Sequence, residues 1–312
     1  MSYTISVFDD PERIPELIEL FSTGLGETTV EHWKWRLFTE NGQPDRPFSI
    51  VVEDEKGKII GMICTLPVRY QYDDRVFRAV QIGDWVISPD CRGKGIARSM
   101  FEYLSQYLLD QGYDFFIGFP NQFSYPVLKK YGFHDITGVT SWNSPSKLFS
   151  LRHNTDVKQT IDGITYLRSD VFPNLLLDNN INGRIIKNPT FMEWKYDSNP
   201  QEQYSWLSLW RGETCIGYFV YLLTKGRFRT AVNIYDWEFS KSEDTRPFIH
   251  AIKILKREGH FVSFFGRYSN EKRRLLLKSG MREQKKQVTC IAKSIGQCVI
   301  PELTLTRIDT DY

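Results

Sequence analysis

An eight-residue pattern occurs twice in this chain. Gln81-Ile82-Gly83-Asp84-Trp85-Val86-Ile87-Ser88 and Asn233-Ile234-Tyr235-Asp236-Trp237-Glu238-Phe239-Ser240 share Ile, Asp, Trp and Ser at matching places. Other echoes keep the same order. Trp35-Arg36 matches Trp194-Lys195, Ile60-Gly61-Met62 matches Ile216-Gly217-Tyr218, and Asn121 to Gly132-Phe133 matches Ser269-Asn270 to Gly280-Met281. Self-similarity over this span means one folding unit built twice, each copy offering an apolar face that the other can cover. The length, 312 residues, suits about two ordinary domains. We expect units at 1–155 and 156–312, divided in the polar stretch Asn154 to Asp162.

Apolar spacing gives the element types. Tyr3 to Val7 alternates as a strand, and Pro11 to Phe21 places Ile14, Leu17, Ile18 and Phe21 on one helical face. Thr29 to Phe38 reads as a second helix. Strands follow at Phe48 to Val52, Ile59 to Tyr72 and Val76 to Ser88, then a helix from Gly95 to Gln111 and a strand from Asp114 to Phe119. The fold class is α/β (α+β): a mixed, mostly antiparallel twisted sheet flanked by helices, made twice.

A turn adds the chemistry. Beyond Ser88-Pro89 the chain reads Asp90-Cys91-Arg92-Gly93-Lys94-Gly95-Ile96-Ala97 and opens the long helix. Gly93 and Gly95 remove side chains, so consecutive N–H groups can close on an oxyanion, and the helix start adds its positive dipole end. Arg92 and Lys94 contribute screened positive charge. The loop suits a pyrophosphate, although short glycine loops also turn corners with no ligand.

The spelling is more specific. Arg92-Gly93-Lys94-Gly95-Ile96-Ala97 fits Q/R-x-x-G-x-G/A and resembles the coenzyme A loop of the GNAT superfamily of acyl-CoA-dependent N-acyltransferases. Phe119-Pro120-Asn121-Gln122-Phe123-Ser124-Tyr125-Pro126, followed by Tyr131-Gly132-Phe133, resembles that family's N-x-x-A/S helix and x-G-F turn at the expected distance. The resemblance covers the first half. The second half resembles a degenerate copy: after Ser240 it reads Lys241-Ser242-Glu243-Asp244-Thr245, without glycine and with two acids where a pyrophosphate would lie. The whole resembles a tandem GNAT enzyme with one acyl-CoA loop.

By resemblance, acetyl-CoA or another acyl-CoA is the co-substrate. Arg92, Gly93, Lys94, Gly95, Ile96 and Ala97 would hold its pyrophosphate, while backbone groups of Trp85, Val86 and Ile87 would pair with the pantetheine arm and polarise the thioester. Asn121 would hold a pantetheine amide or cap its own helix. Transfer would be direct, in a ternary complex. Asp84 is the candidate base, with a structural role as its alternative because the second copy keeps Asp236. The tyrosine that many relatives carry seven residues after the helix asparagine is Leu128 here, so Tyr125 is the candidate acid or a packing residue. His32, His134, His153, His250 and His260 are scattered and form no constellation.

Other classes are disfavoured by composition. Net charge is +2 with acids and bases interspersed, which is no footprint for nucleic acid. The five cysteines show no metal spacing, so no metal is expected. The start, Met1 to Asp10, lacks the pattern of a secretion signal and no run approaches a membrane span, which points to the cytoplasm. The expected acceptor is a small-molecule amine. Phe119-Pro120-Asn121 with Ser124-Tyr125 and Trp35 resembles a GNAT subgroup of polysaccharide clusters, which implies an amino sugar on a nucleotide carrier. A peptide or aminoglycoside amine, or a non-catalytic acyl-CoA-binding module, are the alternatives. Trp33, Tyr70, Tyr72 and Trp142 could stack on a substrate or fill the core.

Overall fold

The repeated pattern folds into two sheets. The computed structural model describes residues 2–136, 138–145, 157–173, 183–240, 244–287 and 289–306. The start of the expected boundary at Asn154, as well as His153 and Glu243, lies outside them. The first half contains β1 (Tyr3–Val7), α1 (Ile14–Ser22), α2 (Val30–Phe38), β2 (Phe48–Asp54), β3 (Ile59–Tyr72) and β4 (Arg75–Ile87). It continues through α3 (Ile96–Asp110), β5 (Phe115–Gly118), α4 (Ser124–Lys130), β6 (His134–Ile136) and β7 (Thr140–Asn143). The second half opens with β8 (Lys158–Ile161), β9 (Ile164–Ser169), β10 (Arg184–Ile185) and α5 (Pro189–Met192), which runs on in wider turns through Glu193–Asp197. Then come β11 (Ser205–Arg211), β12 (Thr214–Lys225), β13 (Thr230–Phe239), α6 (Thr245–Glu258) and β14 (Phe261–Arg267). α7 (Asn270–Lys278), β15 (Arg282–Gln287), β16 (Cys290–Ser294) and β17 (Leu305–Thr306) complete it.

The first half lends β7 to the second sheet, and the second half lends β16 and the short β10, which pairs with β3, to the first. The first sheet runs β1-β2-β3-β4-β5-β16-β6, and the second β15-β7-β14-β13-β12-β11-β9-β8. Strand β16 lies between β5 and β6, pairing Ile291 with Gly118 on one side and with Asp135 on the other. Strand β7 lies between β14 and β15, with Trp142 opposite Phe264 and Glu283. A cut between residues 155 and 156 therefore does not separate the two sheets. Even where alternation marks a strand, a period of two carries no information about which sheet receives it.

Local sequence explains the helices. Thr29 accepts the N–H of His32 and caps α2. Ile96, Met100, Leu104 and Leu108 recur every four residues and bury one face of α3. Among the described residues no helix is long and apolar enough to cross a membrane.

The faces that the copies turn toward each other form a shared core. Trp35, Tyr70 and Phe115 from the first half meet Trp194, Trp206 and Tyr218 from the second. The Trp35 and Trp194 rings stack at 4.8 Å. Each indole N–H donates to the other residue's backbone carbonyl, at 2.9 and 3.2 Å. The sequence echo Trp35/Trp194 is thus a reciprocal contact, of the kind that a two-fold relation imposes. Of the aromatic residues that could stack on a substrate, Trp33, Tyr70 and Trp142 are fully buried and belong to the core.

Exchange of strands should make the halves unfold together. Urea unfolding followed by fluorescence and by far-UV circular dichroism is expected to give one coincident transition, and two separated midpoints would contradict the coupling. Trp194→Ala is expected to cost about 3–5 kcal/mol in the same experiment.

Candidate functional site

The site is where two parallel strands part. β4 and β5 pair from Ala79 opposite Phe115 to Ile82 opposite Gly118. β4 then continues to Ile87, paired among the described residues with β3 alone. Its other edge faces an open V. The parting coincides with a β-bulge: Gly83 opposes Cys64 and Val86 opposes Met62, so Asp84 and Trp85 share Ile63. An extra residue increases local twist and re-aims the strand.

Asp84 carries the backbone cost of this bulge. Its φ is +37°, in the left-handed region, and its carboxylate pairs with the guanidinium of Arg36 on α2. Arg36 is 2% exposed and Asp84 21%. On the opposite face Trp85 lies over Phe101 and Tyr131 at 6.2 and 6.0 Å. Val86 packs against the α1–α2 layer.

At the far end of the edge, a turn through Pro89–Cys91 leads to Gly93 and Gly95, with φ of +75° and +83°. An added Cβ at either would meet open space, so glycine is required for the backbone path alone. No side chain caps α3, and the first N–H groups of a helix have no acceptor within it. Gly95, Ile96 and Ala97 carry those donors. Arg92 is exposed, and its Nε donates to the Ile87 carbonyl at 3.1 Å, tying the loop to the end of β4. Lys94 is exposed.

Helix α4 follows β5, the other arm of the V. The Asn121 side-chain oxygen accepts the N–H groups of Phe123 and Ser124, at 2.9 and 3.0 Å, so it caps the start of α4. The Tyr125 hydroxyl donates to Asp135 at 2.9 Å, and Lys129 joins the same carboxylate at 3.2 Å. That bond raises the Tyr125 pKa and lowers that of Asp135. Leu128 is buried in the core beneath α3, so the place of the relatives' tyrosine carries no polar group.

Two residues without an assigned role join the site through α2. Arg36 stood in the sequence as half of an echo, Trp35-Arg36 with Trp194-Lys195, which was its one signal. His32 gave none. Its imidazole is buried beside Trp35 at 5.3 Å, and its Nδ1 has no partner among the described residues. Burial, with the nearby cations Arg36 and Lys195, pushes His32 down to about 4, against an opposing pull from Asp84.

The second half repeats the V and fills it. β13 and β14 pair from Ala231 opposite Phe261 to Asn233 opposite Ser263 and then part. β7 occupies one edge of β14, and β17 takes the edge facing β13, with Thr306 opposite Gly266 and Leu305 opposite Arg267. A Cβ on Gly266 would collide with the Leu305 carbonyl. The Thr304 N–H donates to Gly183 at 2.7 Å, and Leu303 and Leu305 enter the shared core. Asp236, matching Asp84, is fully buried, bonded by Lys187 at 2.5 Å, Arg184 at 3.3 Å and the Tyr218 hydroxyl at 2.9 Å. At the helix start, the Asp244 carboxylate accepts the N–H of Arg246 and takes the place an anion would need.

Comparison with known proteins agrees with this architecture. Residues 10–136 match the family model of the acetyltransferase (GNAT) domain. Residues 10–136 therefore carry a GNAT acetyltransferase domain, which supports acyl-CoA-dependent N-acetyl transfer as the activity of that half. A GCN5-related N-acetyltransferase from Anabaena variabilis is similar over 95% of this chain and 74% of its own, with TM-score 0.68 and 14% identity. A probable N-acyltransferase from Enterococcus faecalis is similar over 95% and 73%, with TM-score 0.69 and 14% identity. A tandem GNAT protein from the clavulanic acid biosynthesis pathway is similar over 96% and 100%, with TM-score 0.58 and 11% identity. At these identities the likeness speaks for the fold. No protein of curated function matches the sequence.

The buried imidazole gives a pH signature. His32 titrates near 4 when folded and near its ordinary 6.5 when unfolded, so between those values the unfolded chain holds the extra proton. Stability is expected to fall as pH drops from 6.5 toward 4, and His32→Gln should remove that component from a series of urea melts.

Proposed function

We propose that the first half moves an acyl group, an acetyl group in the simplest case, from acyl-CoA to a primary amine by direct transfer in a ternary complex. The observation that carries this reading is the pairing of an open strand edge at Asp84–Ile87 with an uncapped helix start at Gly95, on one continuous stretch of chain. The pyrophosphate rests on N–H groups from Gly93 to Ala97, with Lys94 and Arg92 as surrounding charge. The pantetheine arm adds to the edge of Trp85, Val86 and Ile87 as a short strand, beside Asn121. One bulge N–H polarises the thioester carbonyl and holds the oxyanion.

Attack by the free amine forms the C–N bond. The tetrahedral intermediate then collapses, the C–S bond breaks and the thiolate takes a proton. Tyr125 supplies that proton on turning from Asp135 and otherwise packs beside the arm. Asp84 is already engaged by Arg36, so water in the open V removes the amine's proton, and the carboxylate acts by holding the bulge. The second half is not expected to bind acyl-CoA, because β17 lies on β14 within its V and Asp244 caps the helix start. It covers the first half and shapes the acceptor side.

For the acceptor we propose the amine of a nucleotide-linked amino sugar, supported by the spelling from Phe119 to Tyr125. Thiol release from acetyl-CoA, measured with nucleotide-linked amino sugars, aminoglycosides and peptide N-termini, tests it. Turnover with amino sugars is the expected result; turnover confined to another class replaces the acceptor, and CoA binding without any turnover points to a binding module.

Calorimetric titration with acetyl-CoA should give one site per chain. Gly95→Asp is expected to weaken it at least about tenfold, since a carboxylate would stand where the anion sits and a side chain there is strained. Asp244→Ala should leave the affinity unchanged.

A further inference from the structure

The backbone at Asp84 is distinctive within the molecule. Among the described residues three non-glycine positions have left-handed φ: Asp73, Asp84 and Asp162. Asp73 turns the β3–β4 hairpin and Asp162 turns the β8–β9 hairpin, where such angles are ordinary. Asp84 lies within a strand. The second half has its own bulge, around Tyr235, yet Asp236 at the matching place is not left-handed. The uncommon angle thus occurs in the half that has the glycine loop and an open V, and not in the half whose V is filled. A left-handed residue inside a strand persists only when its surroundings over-determine it.

Arg36 supplies that determination. It projects from α2, is almost wholly buried, and pairs with the Asp84 carboxylate. Its place on α2 is fixed by Trp35, one residue earlier, whose ring is locked against Trp194 of the other half by stacking and by a hydrogen bond. We propose that Arg36 is a positioning residue for acyl transfer: by holding Asp84 in its left-handed conformation, it aims the N–H groups of Trp85 and Val86 into the V. The inference rests on the acyl-transfer reading and assigns a device to its site. It also links that device to the second half, because the helix carrying Arg36 is seated on Trp194. A group that aims an oxyanion donor acts on the transition state more than on ground-state binding, so its loss should fall on kcat.

The test separates positioning from proton transfer. Arg36→Met leaves the Asp84 carboxylate without its guanidinium, and kcat is expected to fall roughly 10- to 100-fold with the KM for acetyl-CoA within about twofold. Arg36→Met with Asp84→Gly removes both charges and installs a residue that adopts positive φ freely, so activity should return to within about fivefold of the parent. A double variant as inactive as the single one would overturn the inference and make Asp84 a catalytic group. Amide NMR gives a readout that needs no acceptor. In Arg36→Met the signals of Trp85 and Val86 should move while those of Ala97 and Arg98 stay, and unmoved bulge signals would sink the proposal. Failure of acetyl-CoA to shift Trp85 and Val86 in the parent protein would instead defeat the acyl-transfer reading, with the comparison of the two unliganded spectra still interpretable.

Discussion

A strand edge left open inside a folded protein has backbone donors and acceptors to satisfy, and this molecule contains two such edges. β4 departs from β5 after Gly118, and β13 departs from β14 after Ser263. In the second half the debt is settled internally. β17 hydrogen-bonds the exposed edge of β14, Arg184 and Lys187 meet the carboxylate of the bulged strand, and Asp244 caps the helix. In the first half no described strand enters the V, no side chain caps the helix start, and Arg36 takes the carboxylate. One architecture therefore yields an open V and a filled one, and the difference lies in a few residues that fill space.

Keeping a V open requires that its walls not collapse, and the exchanged strands provide this. β16 enters the first sheet between β5 and β6, on the side of β5 away from the V. It anchors β5 so that the parting from β4 is not relieved by a shift of β5. β7 does the same for β14. The shared core of Trp35, Tyr70, Trp194 and Trp206 then fixes the two sheets face to face. Because burial of large aromatic surfaces is strong and non-directional, the reciprocal indole hydrogen bonds add the register that burial alone would not specify.

Much of this was legible in the sequence, for identifiable reasons. The glycine loop was readable because positive φ at Gly93 and Gly95 leaves few other choices. The duplication was readable because Trp35/Trp194 and Asp84/Asp236 keep residue type where both halves use the same contact. The destinations of β7 and β16 were not readable, since alternation names a buried face and not the partner strand. β17 was hidden by its length, two residues whose pairing is dictated by Gly266 far away. Tyr125 was placed on the right helix, but its bond to Asp135 depends on how β6 lies beside α4.

The matching carboxylates show how the halves differ in charge as well as shape. Asp84 and Asp236 occupy equivalent places, and Arg36 and Lys195 are equivalent cations, yet the pairing is not conserved between halves. Asp84 uses Arg36, whereas Asp236 uses Lys187 and Arg184, which arrive on the segment that also supplies β10 to the first sheet. Three partners around a fully buried carboxylate fix it in the interior, where an unpaired charge would be costly. Asp236 accordingly has a lowered pKa, drawn down by those cations against the opposing effect of burial. Asp84 has one cation among the described residues and stays partly exposed. On the proposed reading, a single bidentate-capable partner on a helix holds the backbone angle while the other edge of the strand stays unpaired.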